Sequence, residues 1–399
     1  RDAGQLAYLV GGGVRDLYLG KTPKDFDIST NARPGKLRKI FKNSRLIGRR
    51  FRLVQVFFPG NKIIEVSTFR RDPDPERQRY GPDDPLITDD NTFGSPEQDA
   101  FRRDFTVNAL FYDIADYSVI DYVGGVRDLE QQLIRTIGDP GMRFQEDPVR
   151  MVRACEFAAR LGFGIETETQ KAILEHGPHL DRASAARLTE EVIQLMRCGA
   201  AGRTMQWMLD LELLDVILPE AHAMVDPSGS CSAELAGMLP AVDRLVAGGE
   251  ELSDATVLSV LLLPELTLKV RRREKQLGKQ LNRNELTRLI AETVDPFALR
   301  FTLSRDRAET TRQTLLALHR LEHPSGSDAS RVQFVNRPYF PDALSLLGIK
   351  VEATGRGSEI LARWRQAAKH RSAAPPQPRK PTRRRKPRRG RRRQRRRSR

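Results

Sequence analysis

Apolar residues in the first third of the chain come in short runs of strand length, at 6–10, 25–29, 52–58, 62–68 and 118–123, separated by short stretches of helical spacing. This pattern predicts a small mixed α/β domain over residues 1–138. From Pro148 onward the spacing becomes three and four residues, as at Met205, Met208, Leu209, Leu213 and Ile217, where buried helix faces are expected. Residues 139 to about 371 therefore read as all-helical. Two stretches interrupt these patterns. Asp72 to Asp99 holds five prolines and nine acids and reads as a mobile exposed loop. Residues 324–342, rich in Pro, Gly and Ser, read as a link between two helical parts.

The densest chemistry lies near the start. Gly11-Gly12-Gly13-Val14-Arg15-Asp16 follows the first apolar run and is itself followed by Asp25-Phe26-Asp27. Glycines let backbone approach a polyphosphate, and a helix opening there offers unpaired N–H groups. Two carboxylates two residues apart on one strand share a face, with Cβ atoms roughly 6 to 7 Å apart, and Phe26 between them would point into the core. Such a pair can hold two Mg²⁺ ions, or Mn²⁺, that clamp the attacking and leaving oxygens of a phosphoryl displacement. Either motif alone is more often a turn or a solvated loop; their joint occurrence points to a metal-dependent nucleotidyltransferase. Gly20-Lys21-Thr22 imitates the end of a P-loop, but Arg15 stands where the upstream glycine is required. The dinucleotide fingerprint fails too, with Asp16 in place of its third glycine. A second Gly-Gly-Val-Arg-Asp, Gly124 to Asp128, has no Asp-x-Asp after it and is expected to be a structural turn.

Net charge at first suggests a basic protein, at +16. Residues 379–399 carry 15 Lys or Arg and no acid, which leaves +1 for residues 1–378. With prolines at 375, 376, 378, 381 and 387, residues 372–399 are expected to be disordered alone and to bind RNA phosphates without reading sequence. Cys155, Cys198 and Cys231 lack paired metal spacing and suit free thiols in a reducing cytosol. His319 and His323 lack the glutamate of a metalloprotease helix. No run is long enough to span a membrane, so a cytoplasmic monomer is expected. The opening at Arg1, almost in a strand, leaves room for a native start upstream, so the lack of a leader carries little weight.

Two further blocks add polar chemistry. In Arg102-Arg103-Asp104-Phe105-Thr106-Val107-Asn108-Ala109 two guanidiniums suit triphosphate or ribose, and Asp104 suits a third carboxylate. In Glu146-Asp147-Pro148-Val149-Arg150 a proline opens a helix. Asp147 there reads either as its N-cap or, with Arg150, as an acceptor and donor for the Watson–Crick edge of adenine or cytosine.

Together these blocks resemble the class II nucleotidyltransferase family of bacterial poly(A) polymerases and CCA-adding tRNA enzymes. The resemblance covers nearly the whole chain and is strongest from Tyr8 to Leu161. It implies an α+β protein: a polymerase-β-like nucleotidyltransferase head (1–138), then all-helical neck (139–202), body (203–323) and RNA-binding tail (324–371) domains, with the disordered basic C-terminus beyond. It further implies that Asp25 and Asp27 carry the metals and Asp104 is the third acid, with Glu65 a weaker alternative. Nucleotide would be received by Gly11, Gly12, Gly13, Arg15, Asp16, Arg102, Arg103, Asn108, Glu146, Asp147, Arg150 and Arg153. One position departs from the family run Arg-Ala-x-Arg-Phe: Glu156 replaces the second arginine. Loss of a phosphate contact or the need for a new partner would follow. The segment Leu46 to Val56 looks like the poly(A) polymerase form, with Gln55 in place of a common histidine. That form and the arginine tail favour ATP and RNA 3′ ends, with no DNA, over CCA addition, which remains the nearest alternative. A non-catalytic RNA-binding adaptor is the alternative of another class.

Overall fold

The computed structural model describes residues 2–23, 25–48, 50–74, 78–79, 86–224, 237–324 and 328–369. The arginine-rich C-terminus, Cys231 and parts of the acidic stretch lie outside the described residues.

The head is built on one seven-stranded sheet of β1 (Ala7–Val10), β2 (Asp27–Thr30), β3 (Ser44–Ile47), β4 (Leu53–Phe58), β5 (Lys62–Thr68), β6 (Leu110–Asp113) and β7 (Ser118–Asp121), in the order β3-β4-β5-β2-β1-β6-β7. Only β2 and β5 pair in parallel; every other neighbour is antiparallel. α1 (Gly12–Tyr18) follows β1, and α2 (Pro34–Ile40) leads from β2 toward the β3–β4 hairpin. One small core joins Leu37 of α2 to Val54, Val56 and Val66, and another packs Val10 with Phe69, Ala100 and Phe111.

The apolar runs located five of these strands. β3 and β6 were not among them: β3 opens with Ser44-Arg45 and holds only two apolar residues, and β6 directly follows the Arg102–Ala109 block. Residues 75–77 and 80–85 of the acidic stretch lie outside the described residues, and the part nearest α3 (Pro96–Arg102) is tied to the head. Asp90 and Asp99 are buried, Arg70 binds both at 2.7 and 3.2 Å, and α3 already begins within the stretch behind a Ser95–Gln98 capping box. Asp90 and Asp99 are thus partners for a buried arginine rather than members of a solvated charge run.

After β7, the Asp121 carboxylate accepts four successive backbone N–H groups, from Val123, Gly124, Gly125 and Val126, and launches α4 (Gly125–Glu130). Asp128 on that helix accepts from Thr106 Oγ1 at 2.6 Å and pairs with Arg135. The second glycine motif is thus a structural turn that clips the head together.

Helices α5 (Pro140–Glu146), α6 (Val149–Leu161), α7 (Thr167–His176), α8 (Ala185–Arg197), α9 (Ala201–Asp210) and α10 (Leu214–Ile217) follow. The expected all-helical neck contains one exception. Gly164–Ile165 forms a short strand, β9, parallel to β8 (Leu133–Ile134), and so ties the neck to the end of the head. The remaining helices are α11 (Met238–Ala247), α12 (Asp254–Leu277), α13 (Arg283–Arg300), α14 (Arg305–Glu322), α15 (Asp328–Val335), α16 (Phe340–Thr354) and α17 (Ser358–Lys369). The stretch expected to link two helical parts instead contributes α15 and the start of α16. Phe334 and Phe340 meet Trp364 edge-on, with ring centroids 5.5 and 6.0 Å away. One continuous core runs from Val14 and Phe105 in the head through Met205 and Met208 to Leu346 and Trp364. Burial of that apolar surface at ~25 cal/mol per Å² is the term that holds head, neck and helical remainder together. Among the described residues no helix is long and apolar enough to cross a membrane.

Candidate nucleotide and metal site

A cleft of about 920 Å³ opens between the head sheet and helices α6 and α8. Its lining includes nine arginines and Lys21 against six aspartates, a surplus of cationic donors suited to a polyphosphate.

The glycine turn forms one wall. Gly11 has φ +70 and ends β1, and a Cβ there would come within 3.3 Å of Arg103 Nη1. A Cβ on Gly13 would lie 3.1 Å from the Asp25 carbonyl. The missing side chains therefore admit a guanidinium and the carboxylate loop to the turn, in addition to any phosphate. Asp27 opens β2, with Val10 and Glu65 as its neighbours on β1 and β5. Asp25 stands before the strand, so strict strand alternation does not relate the two acids. Phe26, expected in the core, is 44% exposed: the strand has not yet begun, and its ring lies against Gly13.

Burial, then Glu65 and Asp25, push the Asp27 carboxyl above its ordinary value, and Arg103 opposes them. Glu65 is oriented from the other side by Gln55, its cross-strand partner, which donates Nε2–H at 2.9 Å. Asp25, Asp27 and Glu65 are oxygen donors of the kind Mg²⁺ takes, and their mutual repulsion is what a divalent ion would relieve. Among the described residues no three His, Cys, Asp or Glu side chains already stand in metal-holding geometry.

Asp104 is differently placed. It accepts from Arg153 Nε and Nη2 at 3.0 and 2.7 Å, from the Phe105 N–H at 2.8 Å and from Asn108 at 3.3 Å. Burial opposes its ionisation most strongly, but Arg153 and the Phe105 N–H together overcome it and hold the carboxyl below the usual range. Both of its oxygens are thus engaged, Oδ2 by Arg153 of the neck helix and Oδ1 by Phe105 and Asn108. Arg15 is 2% exposed and gives its donors to Asn108 Oδ1 and Asp16 Oδ1, so Arg15, Asp16 and Asn108 form an internally satisfied wall. Arg103 is engaged by Asp99 at 3.0 Å and Ser29 at 3.2 Å. Arg103 Nε lacks a hydrogen bond, and Arg102 is the least engaged of the group. It is 5% exposed, has Glu146, Asp90 and Asp72 only at 3.6 to 3.9 Å, and keeps Nε and Nη2 without hydrogen bonds. A buried guanidinium with unspent donors is costly unless an anion completes it.

At the other end of the cleft Asp147 terminates α5 and does not cap α6. Pro148 holds the N-cap position with no side-chain cap, because the Asp147 carboxylate is drawn into two ion pairs. Arg187 Nη1 lies 2.5 Å from Oδ1 and Arg50 Nη1 3.1 Å from Oδ2. Burial pushes this carboxyl up, and Arg50 and Arg187 overcome it and hold it well below the ordinary value. Arg150 gives Nη1 to the Arg143 carbonyl at 2.8 Å and to Glu146 at 3.1 Å, and Nη2 carries no hydrogen bond among the described residues. Glu146 thus orients Arg150 and Arg143. Arg187 was not singled out in the sequence: a lone arginine on a helix face carries no signal, and its role comes only from packing 40 residues away. Arg50 lay in a segment read for its family form rather than for a contact. Lys21 and Thr22, the failed P-loop imitation, do line the cleft.

Glu156, the departure from the family run, is buried and has acquired a partner one turn on, with Arg160 Nε 3.3 Å away. Phe157 beside it carries the guanidiniums of Arg15, Arg153 and Arg160 at 5.6, 5.2 and 5.2 Å from its ring centre.

Comparison with known proteins bears on this geometry. Residues 7–135 match the family described as poly A polymerase head domain, and residues 162–225 that described as probable RNA and SrmB-binding site of polymerase A. The chain is 47% identical over 237 residues to poly(A) polymerase I of Salmonella typhi, an alignment spanning 58% of this chain and 50% of that protein. It is 36% identical over 365 residues to poly(A) polymerase I of Haemophilus influenzae, spanning 90% of this chain and 80% of that one. The alignments to the first of these relatives thus span about half their length. Among solved structures, the CCA-adding enzyme of Bacillus stearothermophilus in complex with CTP superposes with a TM-score of 0.63 at 24% identity, covering 92% of this chain and 78% of that one. This last likeness establishes the fold: a mixed-sheet head followed by helical domains.

Proposed function

The chain belongs to the nucleotidyltransferase family that includes poly(A) polymerases and CCA-adding enzymes, and from that membership we propose that it is a template-independent poly(A) polymerase, transferring AMP from ATP to RNA 3′ ends. In this reading Asp25 and Asp27 hold the divalent ions, Mg²⁺ by preference with Mn²⁺ as a substitute, and Glu65 rather than Asp104 supplies the third carboxylate. Bound there, the ions would neutralise charge on the attacking and leaving oxygens. Arg102, with unspent buried donors, takes the triphosphate. Arg103 and Arg15 keep the glycine turn closed and cationic. Asp147 accepts from the adenine amino group, and Arg150 Nη2 donates to the adjacent ring nitrogen. The RNA 3′-hydroxyl attacks the α-phosphate, the bond to the β-phosphate breaks, and pyrophosphate leaves. Catalysis is then positioning and charge stabilisation.

The observation that carries the choice of ATP is the double clamp on Asp147. CCA addition needs one pocket to serve bases of two sizes, whereas a carboxylate fixed by Arg50 from the head and Arg187 from the neck is suited to one. The divisions at 138, 202 and 323 are retained as functional units, and a cytoplasmic monomer is part of the same reading. The test is extension of a generic RNA with each nucleoside triphosphate separately and Mg²⁺. Long ladders with ATP alone support the reading. A stop after C-C-A on truncated tRNA selects the runner-up, and no product with any substrate selects the adaptor.

A further inference from the structure

α12 contributes fully buried residues as far as Leu266, and Val270 one turn on still packs against the core. At 1.5 Å per residue the helix continues about 10 Å past Val270. It ends at Gly278, φ +62, and Leu281, 8% exposed, pins the turn into α13. Arg271, Arg272, Arg273, Lys275, Lys279 and Arg283 are all exposed on this projecting tip. Two acids accompany them, and both are committed to backbone. Glu274 accepts the Leu281 N–H at 3.2 Å, and Glu285 closes the capping box of α13 by accepting the Asn282 N–H at 2.9 Å.

Cations near a helix C-terminus complement its dipole, which would account for one or two of these residues. They do not account for the arrangement. Arg272 and Lys275 stand three residues apart on a helix, where like charges repel, and Glu274, the one acid from 271 to 283, accepts the Leu281 N–H. A helix carried beyond its core to display a self-repelling strip is organised for a polyanion.

We propose that this tip, residues 271–283, is a phosphate track for the RNA strand upstream of the 3′ end that occupies the cleft. The proposal rests on the RNA reading above. Gln276, Gln280, Asn282 and Asn284 interleave the cations with amides that can donate to phosphate and ribose oxygens. No aromatic residue lies between 271 and 284, so bases find no stacking platform and the contact is blind to sequence. A lipid surface fits poorly, because the only apolar residues there, Leu277 and Leu281, are turned into the turn rather than displayed. Protein interfaces, in turn, are built on aromatic and methionine anchors, and none stands between 271 and 284.

The test uses the full chain carrying Arg272→Gln, Lys275→Gln and Lys279→Gln together, all surface positions. Binding of a long single-stranded RNA and of a very short oligonucleotide that fills only the cleft is measured across a salt series. For the long RNA the slope of log K against log salt should become shallower by about 2, from ~0.7 per lost phosphate contact, with Kd weakened roughly tenfold at low salt. Affinity for the short oligonucleotide and KM for ATP should not change. An unchanged slope overturns the proposal, as does equal weakening on both RNAs, or loss of binding to anionic vesicles with RNA binding intact. If the parent chain adds no AMP to any RNA but the slope still falls, the track stands and the polymerase reading fails. ATP ladders with an unchanged slope would overturn the track and leave the polymerase reading standing.

Discussion

Arg50 Nη1 stands 3.1 Å from Asp147 Oδ2, so an ion pair ties the turn of a head hairpin to the residue between α5 and α6. The turn is shaped for this contact: Gly48 has φ +85, and a Cβ there would collide with the Phe51 carbonyl at 1.9 Å. Arg187 completes the clamp from α8. Three segments remote in sequence thus fix one carboxylate.

Removing one side of the clamp should loosen base choice before it harms chemistry. Arg50→Ala leaves Asp147 with Arg187 but free to swing. KM for ATP should rise by about tenfold, the equivalent of ~1.4 kcal/mol, with kcat changing less, and incorporation of CTP relative to ATP should increase. Steady-state kinetics with each nucleotide check this; an unaltered ATP/CTP ratio would count against a specificity role.

The third carboxylate can be assigned by contrast. Glu65→Gln keeps shape and removes charge beside Asp27, so AMP addition should fall by about 100-fold or more, with a higher Mg²⁺ requirement and an unchanged melting temperature. Asp104→Asn instead breaks the pairing with Arg153. It should cost about 1–3 kcal/mol of stability, toward the low end because Arg153 retains Glu191 at 3.5 Å. Thermal melts and Mg²⁺ titrations on both variants separate the roles; the reverse pattern would return the third acid to Asp104.

How far the sequence reaches is visible in these residues. The glycine turn between β1 and α1 was legible because glycine, apolar run and charge follow one another locally. Asp27 was legible for the same reason. Asp25 was misplaced by one feature, the strand's late start, which also turned Phe26 outward. Asp147 beside Pro148 looked like an N-cap because capping is a local rule, and the two arginines that override it arrive from residues 50 and 187. The resemblance ranks Asp104 above Glu65, and the proposed reversal rests on Arg153, which reaches Asp104 from 49 residues away and carries no signal in the sequence. β3 escaped because Ser44 and Arg45 leave it only two apolar residues, and β6 because it directly follows the Arg102–Ala109 block, which draws the reading to its polar chemistry.

Acid should reveal the same clamp. The Asp147 carboxyl is held below its unfolded value, so its contribution to stability is present above about pH 4 and is lost as pH falls through the lower folded value. Asp147→Asn lacks that contribution throughout. The gap in urea midpoint between parent and variant should therefore stay constant from about pH 7 to 5 and narrow below about pH 4. A gap that is flat to the lowest accessible pH would mean the carboxylate gains nothing from its arginines.

Glycines offer a control that separates packing from helix propensity. A Cβ on Gly125, in the structural turn before β8, would sit 2.2 Å from the Thr106 carbonyl, a backbone atom that can retreat only by shifting the segment carrying Arg103 and Asp104. Gly125→Ala should thus cost about 1–3 kcal/mol and reduce AMP addition, although the residue touches no part of the cleft. Gly35, in α2, has nothing within 4 Å and no positive φ. Gly35→Ala should be neutral or stabilise by about 0.4–1 kcal/mol by limiting the unfolded chain. Urea denaturation of the two variants decides the matter: equal effects would show that the close approach between Gly125 and Thr106 does not set the position of the Arg102–Asn108 segment.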